Sequence, residues 1–286
     1  MSKERPPVKI LAYLGPAGTY CEEAALNYPG THLRRQALGS IREVIKSVAE
    51  GIVDKGVLPL ENSIEGTVNI TIDLLAHEYQ LFIEAELIIP VEHYLLALPG
   101  TDLAQIQTVI SHPQALAQCQ QFLDKCLPSA RTIPASSTAE AAQMVAAGQL
   151  DWLNPDSGRA AIASSRAGIA YGLKPVANKI SDNLCNLTRF IVISKLDSYP
   201  TGNDKTSLVF AMPHHPGSLL EALSVLAAAG INLTKIESRP SKRGLGEYWF
   251  FVDIEGHHQD PKVNTALTKL SSQAIWYKLL GSYPVA

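Results

Sequence analysis

The sequence predicts an α/β protein in two parts: a pair of lobes built from alternating strands and helices, then a smaller unit of ferredoxin-like order. Three features carry this prediction. Through the first two thirds, short apolar runs alternate with capped helical segments, the βα rhythm that predicts a parallel sheet. The apolar run at residues 186–193 ends that region and sits best as a strand returned to the first lobe. After a linker at 196–204, rich in Asp, Pro, Gly and Asn, the order becomes βαββαβ.

The elements follow in order. Residues 8–14 cluster as a short buried strand, Gly15-Pro16-Ala17-Gly18 forces a turn, and Thr19 with Glu22 has the T-x-x-E form of a helix capping box. Ser40 and Glu43 open a second helix to about Glu50, with Gly51 as its stop and a strand at 56–60. The loop at 59–68 is dense in donors and acceptors, and loops at the carboxyl ends of parallel strands are where open α/β sheets hold ligands. A turn in which Asn62 and Ser63 bond their own backbone fits the same residues. Residues 67–76 read as helix.

The stretch 81–98 is long, apolar and extended, and Pro90 suits a crossover between lobes better than a central strand. Lobe one is placed at about 8–80 and 178–195, lobe two at about 81–177. In lobe two, Val109-Ile110 ends a strand, Ser111-His112-Pro113-Gln114 caps a helix running to Cys126, and 131–133 is the next strand. Ser137-Thr138-Ala139-Glu140 caps a helix to Ala147 stopped by Gly148, and a further helix is expected over 159–171. Two lobes joined by two crossings enclose a cleft. Capped helix N-termini facing it from both sides would offer N–H donors to an anionic small molecule, and a dianion is plausible. His112 fits either a ligand contact or a partner for local backbone.

Arg189 stands at the edge of the apolar run 190–193, where an unpaired guanidinium is too costly to bury. It asks for a negative partner, either an internal carboxylate or a ligand. In the last unit, strands are expected at 206–212, 231–238, 247–254 and 275–280, with helices at 216–229 and 261–272. A ferredoxin-like sheet offers a helix-free face or edge, which is expected to pair with a second chain.

Composition narrows the classes. The 286 residues are 46% hydrophobic with a formal charge of −3, enough for a sizeable core and without the basic block that tracks nucleic acid. The polar start and the lack of any long apolar run give no leader and no membrane span, so a cytoplasmic protein is expected. Cys21, Cys119, Cys126 and Cys185 have no metal or disulfide spacing and read as reduced, mostly buried thiols; Cys119 and Cys126 would share a helix face. His214-His215 and His257-His258 lack a third ligand at suitable spacing, so no metal is expected.

Taken together, Gly15-Pro16-Ala17-Gly18-Thr19-Tyr20, Leu60-Glu61-Asn62-Ser63-Ile64-Glu65-Gly66-Thr67-Val68, Ser111-His112-Pro113-Gln114-Ala115-Leu116, Ser137-Thr138-Ala139, Ala160-Ala161-Ile162-Ala163-Ser164 and Asn186-Leu187-Thr188-Arg189-Phe190 resemble, in order, the prephenate dehydratases. Gly217-Ser218-Leu219-Leu220 and Glu237-Ser238-Arg239-Pro240 resemble the ACT regulatory domain that follows them, with Ser218 where that family usually has Ala. No chorismate mutase-like helical domain precedes residue 8, so a monofunctional chain is expected.

The resemblance implies a two-lobed, periplasmic-binding-protein-like catalytic domain over 1–195 and an ACT domain over 205–286. It implies conversion of prephenate to phenylpyruvate without a cofactor, with Thr188 as the catalytic hydrogen-bond donor to the departing hydroxyl and Arg189 as a carboxylate clamp. Thr19, Glu61, Asn62, Ser63, His112, Ser137, Thr138, Asn186 and Phe190 would line the substrate site. L-Phenylalanine would act as allosteric effector at Gly217, Ser218, Leu219, Leu220, Glu237, Ser238, Arg239 and Pro240, in a homodimer or tetramer built through the ACT and catalytic domains. The alternatives are an arogenate dehydratase, whose substrate's amino group would want an acidic neighbour, and a non-catalytic amino-acid or solute sensor, which would need no donor at Thr188.

Overall fold

A computed structural model describes residues 9–30, 32–148, 158–183, 185–241 and 248–286. The expected polar start, Val8 of the first strand and Glu247 of a later one lie outside the described residues.

Lobe one begins with β1 (Ile10–Leu14), α1 (Tyr20–Asn27), β2 (Arg34–Leu38), α2 (Ile41–Glu50) and β3 (Lys55–Asn62). The short β4 (Gly66–Thr67), α3 (Asn69–His77) and β5 (Phe82–Pro90) follow. Thr19 and Ser40 cap α1 and α2 by accepting from the Glu22 and Glu43 amides, as their spacing predicts. β5 stays in this lobe's sheet, so the crossing falls after Pro90, later than the position near 81 expected above. Pro90 ends that strand at the sheet edge, where its missing N–H costs no ladder bond.

Lobe two holds β6 (Tyr94–Ala97), β7 (Ile106–Ser111), α4 (Pro113–Ala117), α5 (Gln120–Cys126), β8 (Arg131–Pro134) and α6 (Thr138–Ala147). It ends with β9 (Gly158–Ala163), α7 (Ser165–Tyr171) and β10 (Lys174–Ala177). Two expectations are corrected here. Residues 159–163 are strand, because Ala160, Ala161, Ile162 and Ala163 are fully buried between β6 and β7, and burial overrides alanine's helix preference. The helix after His112 breaks at Gln118, whose carbonyl accepts from Asp182 N at 2.7 Å. Past that break Cys119 is buried and Cys126 exposed, so the two do not share a packed face, and Cys185 is exposed as well.

The chain returns as β11 (Leu187–Ser194), inserted antiparallel between β3 and β5. The first sheet therefore runs β2-β1-β3-β11-β5 and the second β10-β6-β9-β7-β8. Both are mixed rather than parallel. The βα units give parallel pairs, while the strands next to the crossings run the other way. The crossings bond each other, Val91 N to Asn186 O at 2.8 Å and Ile180 N to His93 O at 2.9 Å.

The last unit has the expected βαββαβ order: β12 (Asp204–Ala211), α8 (Ser218–Ala228), β13 (Leu233–Pro240), β14 (Tyr248–Glu255), α9 (Pro261–Gln273) and β15 (Trp276–Pro284). Its sheet runs β13-β14-β12-β15, with α8 and α9 on one face. The helix-free face is covered within the chain. Val209, Ala211, Trp249, Phe251, Leu280 and Tyr283 share one apolar core with Val44, Leu58, Leu75, Ile83 and Ile191 of lobe one. Gly281, at φ +135°, lets β15 approach β5 so closely that a Cβ there would meet Ile83 O at 2.4 Å. β13 is left as an outer strand.

Candidate active site

A cavity of about 360 Å³ lies between the lobes. β11 forms one wall. Successive side chains of a strand point to opposite faces, so Thr188 and Phe190 face the cavity while Arg189 faces away.

A hydrogen-bonded chain fixes the Thr188 hydroxyl. Asn62 Oδ1 accepts from Ile64 N at 2.9 Å and Glu65 N at 3.1 Å, which sets the orientation of its amide. Asn62 Nδ2 then donates to Asn186 Oδ1 at 2.7 Å and to Thr188 Oγ1 at 2.8 Å. Asn186 Nδ2 continues to Gln118 Oε1 at 3.2 Å, and Gln118 Nε2 donates to Glu65 Oε1 at 3.3 Å. His93 Nε2 lies 3.1 Å from Gln118 Oε1, while its buried Nδ1 has no partner among the described residues. An orphaned acceptor costs less than an orphaned N–H, so the proton sits on Nε2. Burial lowers the His93 pKa, with the Gln118 bond opposing, and keeps the ring neutral at neutral pH.

Helix starts from both lobes meet the cavity. Thr19 and Tyr20 bring the α1 start, while Ser136, Ser137 and Thr138 bring that of α6. Thr19 Oγ1 accepts from Glu22 N and Ser137 Oγ from Glu140 N. The remaining first-turn N–H groups are donors for an anion. No Lys or Arg is among the described lining residues, so these helix starts supply the positive potential. His112 caps α4 through Nδ1, accepting from Gln114 N at 3.3 Å, and also lines the cavity; its two sequence readings coexist. The lobes are pinned beside the cavity, Ser164 Oγ donating to Gly18 O at 2.9 Å and Arg166 pairing with Glu22 at 3.1 Å.

Three expected site residues lie elsewhere. Arg189 is not a cavity clamp: its guanidinium is buried against Glu86 (Nε to Oε2 2.7 Å), Asp253 (Nη1 to Oδ2 2.5 Å) and the Tyr283 hydroxyl (2.7 Å). The Nε contact is an ion pair too misaligned to be a hydrogen bond. Burial works against this charge, but Tyr283, Asp253 and Glu86 more than offset it and raise the pKa. Glu61 pairs with Lys235 at 2.8 Å, outside the lining. Ser63 ties two loops, its Oγ donating to Cys185 O and accepting from Leu187 N. Thr19, Asn62, His112, Ser137, Thr138, Asn186, Thr188 and Phe190 all line the cavity.

Sequence reasoning missed Tyr20, Glu65, His93, Gln114 and Gln118. Gln114 and Gln118 had a signal, since residues four apart share a helix face. His93 had none, because its place depends on the crossing. Cys21 also borders the cavity, but burial pushes its thiol up to about 12, so it is no nucleophile at neutral pH.

In the last unit, Ser218 at the start of α8 lines a second cavity of about 260 Å³ with Met212, His214 and Trp276. Gly217 opens that helix at φ +89°. Leu219 packs against the helix-side core, and Leu220 is exposed. β13 has two faces: Glu237 and Arg239 reach lobe one, at Thr67 and Asp73, while Ser238 and Pro240 are exposed.

A two-lobed α/β cleft lined by capped helix starts, followed by a βαββαβ unit, defines a two-lobed α/β protein with an appended ferredoxin-like domain. The chain belongs to the prephenate dehydratase family of lyases: that family's sequence model matches residues 11–198, and the ACT domain model matches 206–272. It is 41% identical over 280 residues to a bifunctional chorismate mutase/prephenate dehydratase of Stutzerimonas stutzeri, covering 98% of this chain and 74% of that one. Among solved structures it is similar to the prephenate dehydratase of Arthrobacter aurescens in complex with L-Phe (36% identity, TM-score 0.87, 97% and 90% covered). It is also similar to GqqA, a quorum quenching acylase (31% identity, TM-score 0.85, 97% and 98% covered).

Proposed function

We propose that the interlobe cavity binds prephenate and that Thr188 assists departure of its ring hydroxyl. In this reaction the ring–carboxylate bond breaks and carbon dioxide leaves. The electron pair flows into the ring, and the C–O bond breaks with the hydroxyl taking up a proton as water. Aromatisation drives the change; the protein holds the dianion and places a donor at the leaving oxygen. The α1 and α6 starts receive the two carboxylates, a role that Arg189 does not fill.

One observation carries the proposal. Thr188 Oγ1 accepts from Asn62 and donates to no side chain or carbonyl among the described residues, which leaves its proton for a ligand in the cavity. Thr188→Val is expected to remain folded and lose turnover by about a hundredfold or more, as loss of such a donor does. Near-normal production of phenylpyruvate by the folded variant refutes the role. An acylase chemistry such as that named for GqqA has less support here, since the Thr188 oxygen meets an amide donor rather than a base.

Glu65 favours a second reading of substrate range. This carboxylate on the cavity wall is the acidic neighbour that arogenate's amino group would want. Rates on both substrates decide between them.

Feedback by L-phenylalanine is proposed at the ACT domain, near Gly217 to Leu220 and Glu237 to Pro240. Support comes from the relative solved with L-Phe and from the cavity at Ser218. The free β13 edge, with Ile236 and Tyr248 exposed beside it, suits pairing with a second copy of the chain. Turnover measured against added L-phenylalanine tests this regulation, and an unchanged rate at saturation removes it.

A further inference from the structure

Thr188 and Arg189 are joined by one peptide bond and face opposite ways across β11. Thr188 faces the cavity, and Arg189 faces the regulatory domain. Arg189 is held from lobe one by Glu86 and from the ACT sheet by Asp253 and Tyr283. The holders are themselves fixed. Lys205 Nζ sits 2.8 and 2.9 Å from the two Glu86 oxygens, and Ser207 Oγ lies 2.5 Å from both Asp253 Oδ1 and the Tyr283 hydroxyl. Two cations and two carboxylates balance, so the buried cluster is neutral as a whole and each member depends on the others. On its β3 side, the pairing of β11 shifts register between Arg189 and Phe190. At this point β11 is held by its unbroken pairing with β5 from Leu187 to Val192, and Arg189 adds a side-chain tie from the strand to the ACT sheet.

We infer that Asp253 and Tyr283 are positioning residues for the dehydration: by holding Arg189 they set the Thr188 hydroxyl against Asn62 and the substrate, so residues of the regulatory domain complete the catalytic site. Their role rests on Thr188 being the donor proposed above. It also gives the regulatory domain a direct mechanical route to the reaction. A shift of β14 or β15 reaches the reacting hydroxyl through one side chain and one residue of backbone.

The test is steady-state turnover of prephenate by the full chain carrying Asp253→Asn, which keeps the side chain's shape and removes its charge. The folded fraction is measured by circular dichroism so that kcat is stated per folded chain. The expected result is a fall in kcat of roughly ten- to a hundredfold, the cost of a misplaced reacting group, with KM within about twofold. Tyr283→Phe, which loses only the hydroxyl on Arg189, is expected to fall in the same direction by less. It decides the matter if Asp253→Asn does not fold. A purely structural cluster would lower the melting temperature and leave kcat per folded chain unchanged. That result in the folded variants overturns the inference. If the parent is active and Thr188→Val is not, unchanged kcat in Asp253→Asn and Tyr283→Phe sinks the positioning role alone. If Thr188→Val keeps its activity, the donor role fails and the positioning role fails with it.

Discussion

His93 is a buried titratable side chain on the wall of the cleft. Its Nε2–H holds the Gln118 carboxamide, which in turn fixes Asn186 beside Asn62. His93→Gln, which retains an N–H near the Nε2 position, is expected to keep most activity. His93→Leu is expected to lower kcat by roughly tenfold, by freeing the amide chain; equal kcat in the two variants would show that His93 only fills space. Burial depresses the His93 pKa in the folded state, so the unfolded chain binds the proton more readily. This contribution to stability is complete above the ordinary value of about 6.5 and is lost as pH falls through and below it. Thermal unfolding at pH 7.5 and 5.5 should show a larger loss in the parent than in His93→Gln. Thr188 and Asn62 were legible as site residues from their motifs. For Arg189 the internal carboxylate partner that burial asks for is present, whereas the clamp implied by the resemblance is not, and strand alternation already forbids Thr188 and Arg189 from facing one cavity. The same alternation separates Glu61 from Asn62 on β3.

At the level of elements, α3 and β15 join lobe one to the ACT domain. α3 starts just after Thr67 and Val68 of the cavity wall. Its last carbonyls, with Tyr79 O, accept from Lys278 Nζ of β15, at 2.7 Å for Leu75, 3.3 Å for Ala76 and 2.7 Å for Tyr79. Burial pushes the Lys278 ammonium down to about 8, so folding disfavours its charge. Stability from this group should therefore rise as pH is raised from about 8 towards the ordinary lysine value of about 10.4. A urea midpoint that falls over that window would contradict the sign. Gly281→Ala forces a Cβ onto the Ile83 backbone at a positive φ and should cost on the order of 3 kcal/mol, read from denaturant unfolding. The capped helices α2 and α6 were predicted almost to the residue, and α1 at its start, because caps are local chemistry. β9 and the break after α4 were not, because long-range burial decides the first and a contact with Asp182 the second.

For the molecule as a whole, the two-part plan and the order of the last unit were readable from rhythm and composition. The mixed sheets and the place of the ACT sheet were not, since both depend on where the chain crosses back and what the helix-free face meets. That face packs on lobe one, so a chain ending at residue 203 would bare Val44, Leu58, Leu75 and Ile83. Such a truncation is expected to aggregate or melt well below the full chain; a soluble, active 1–203 fragment would contradict a shared core.

The connecting stretch at 196–204 carries Leu196 and Tyr199 with 76% and 86% of their surface in solvent, whereas the faces it joins are dry. A protease admitted there would nick the backbone without parting the pieces. The cut protein should travel as one species through gel filtration and come apart only in denaturant. An ACT domain borrowed from another chain would accordingly need its underside recut to fit, since here the tether is the least of the bonds between the two.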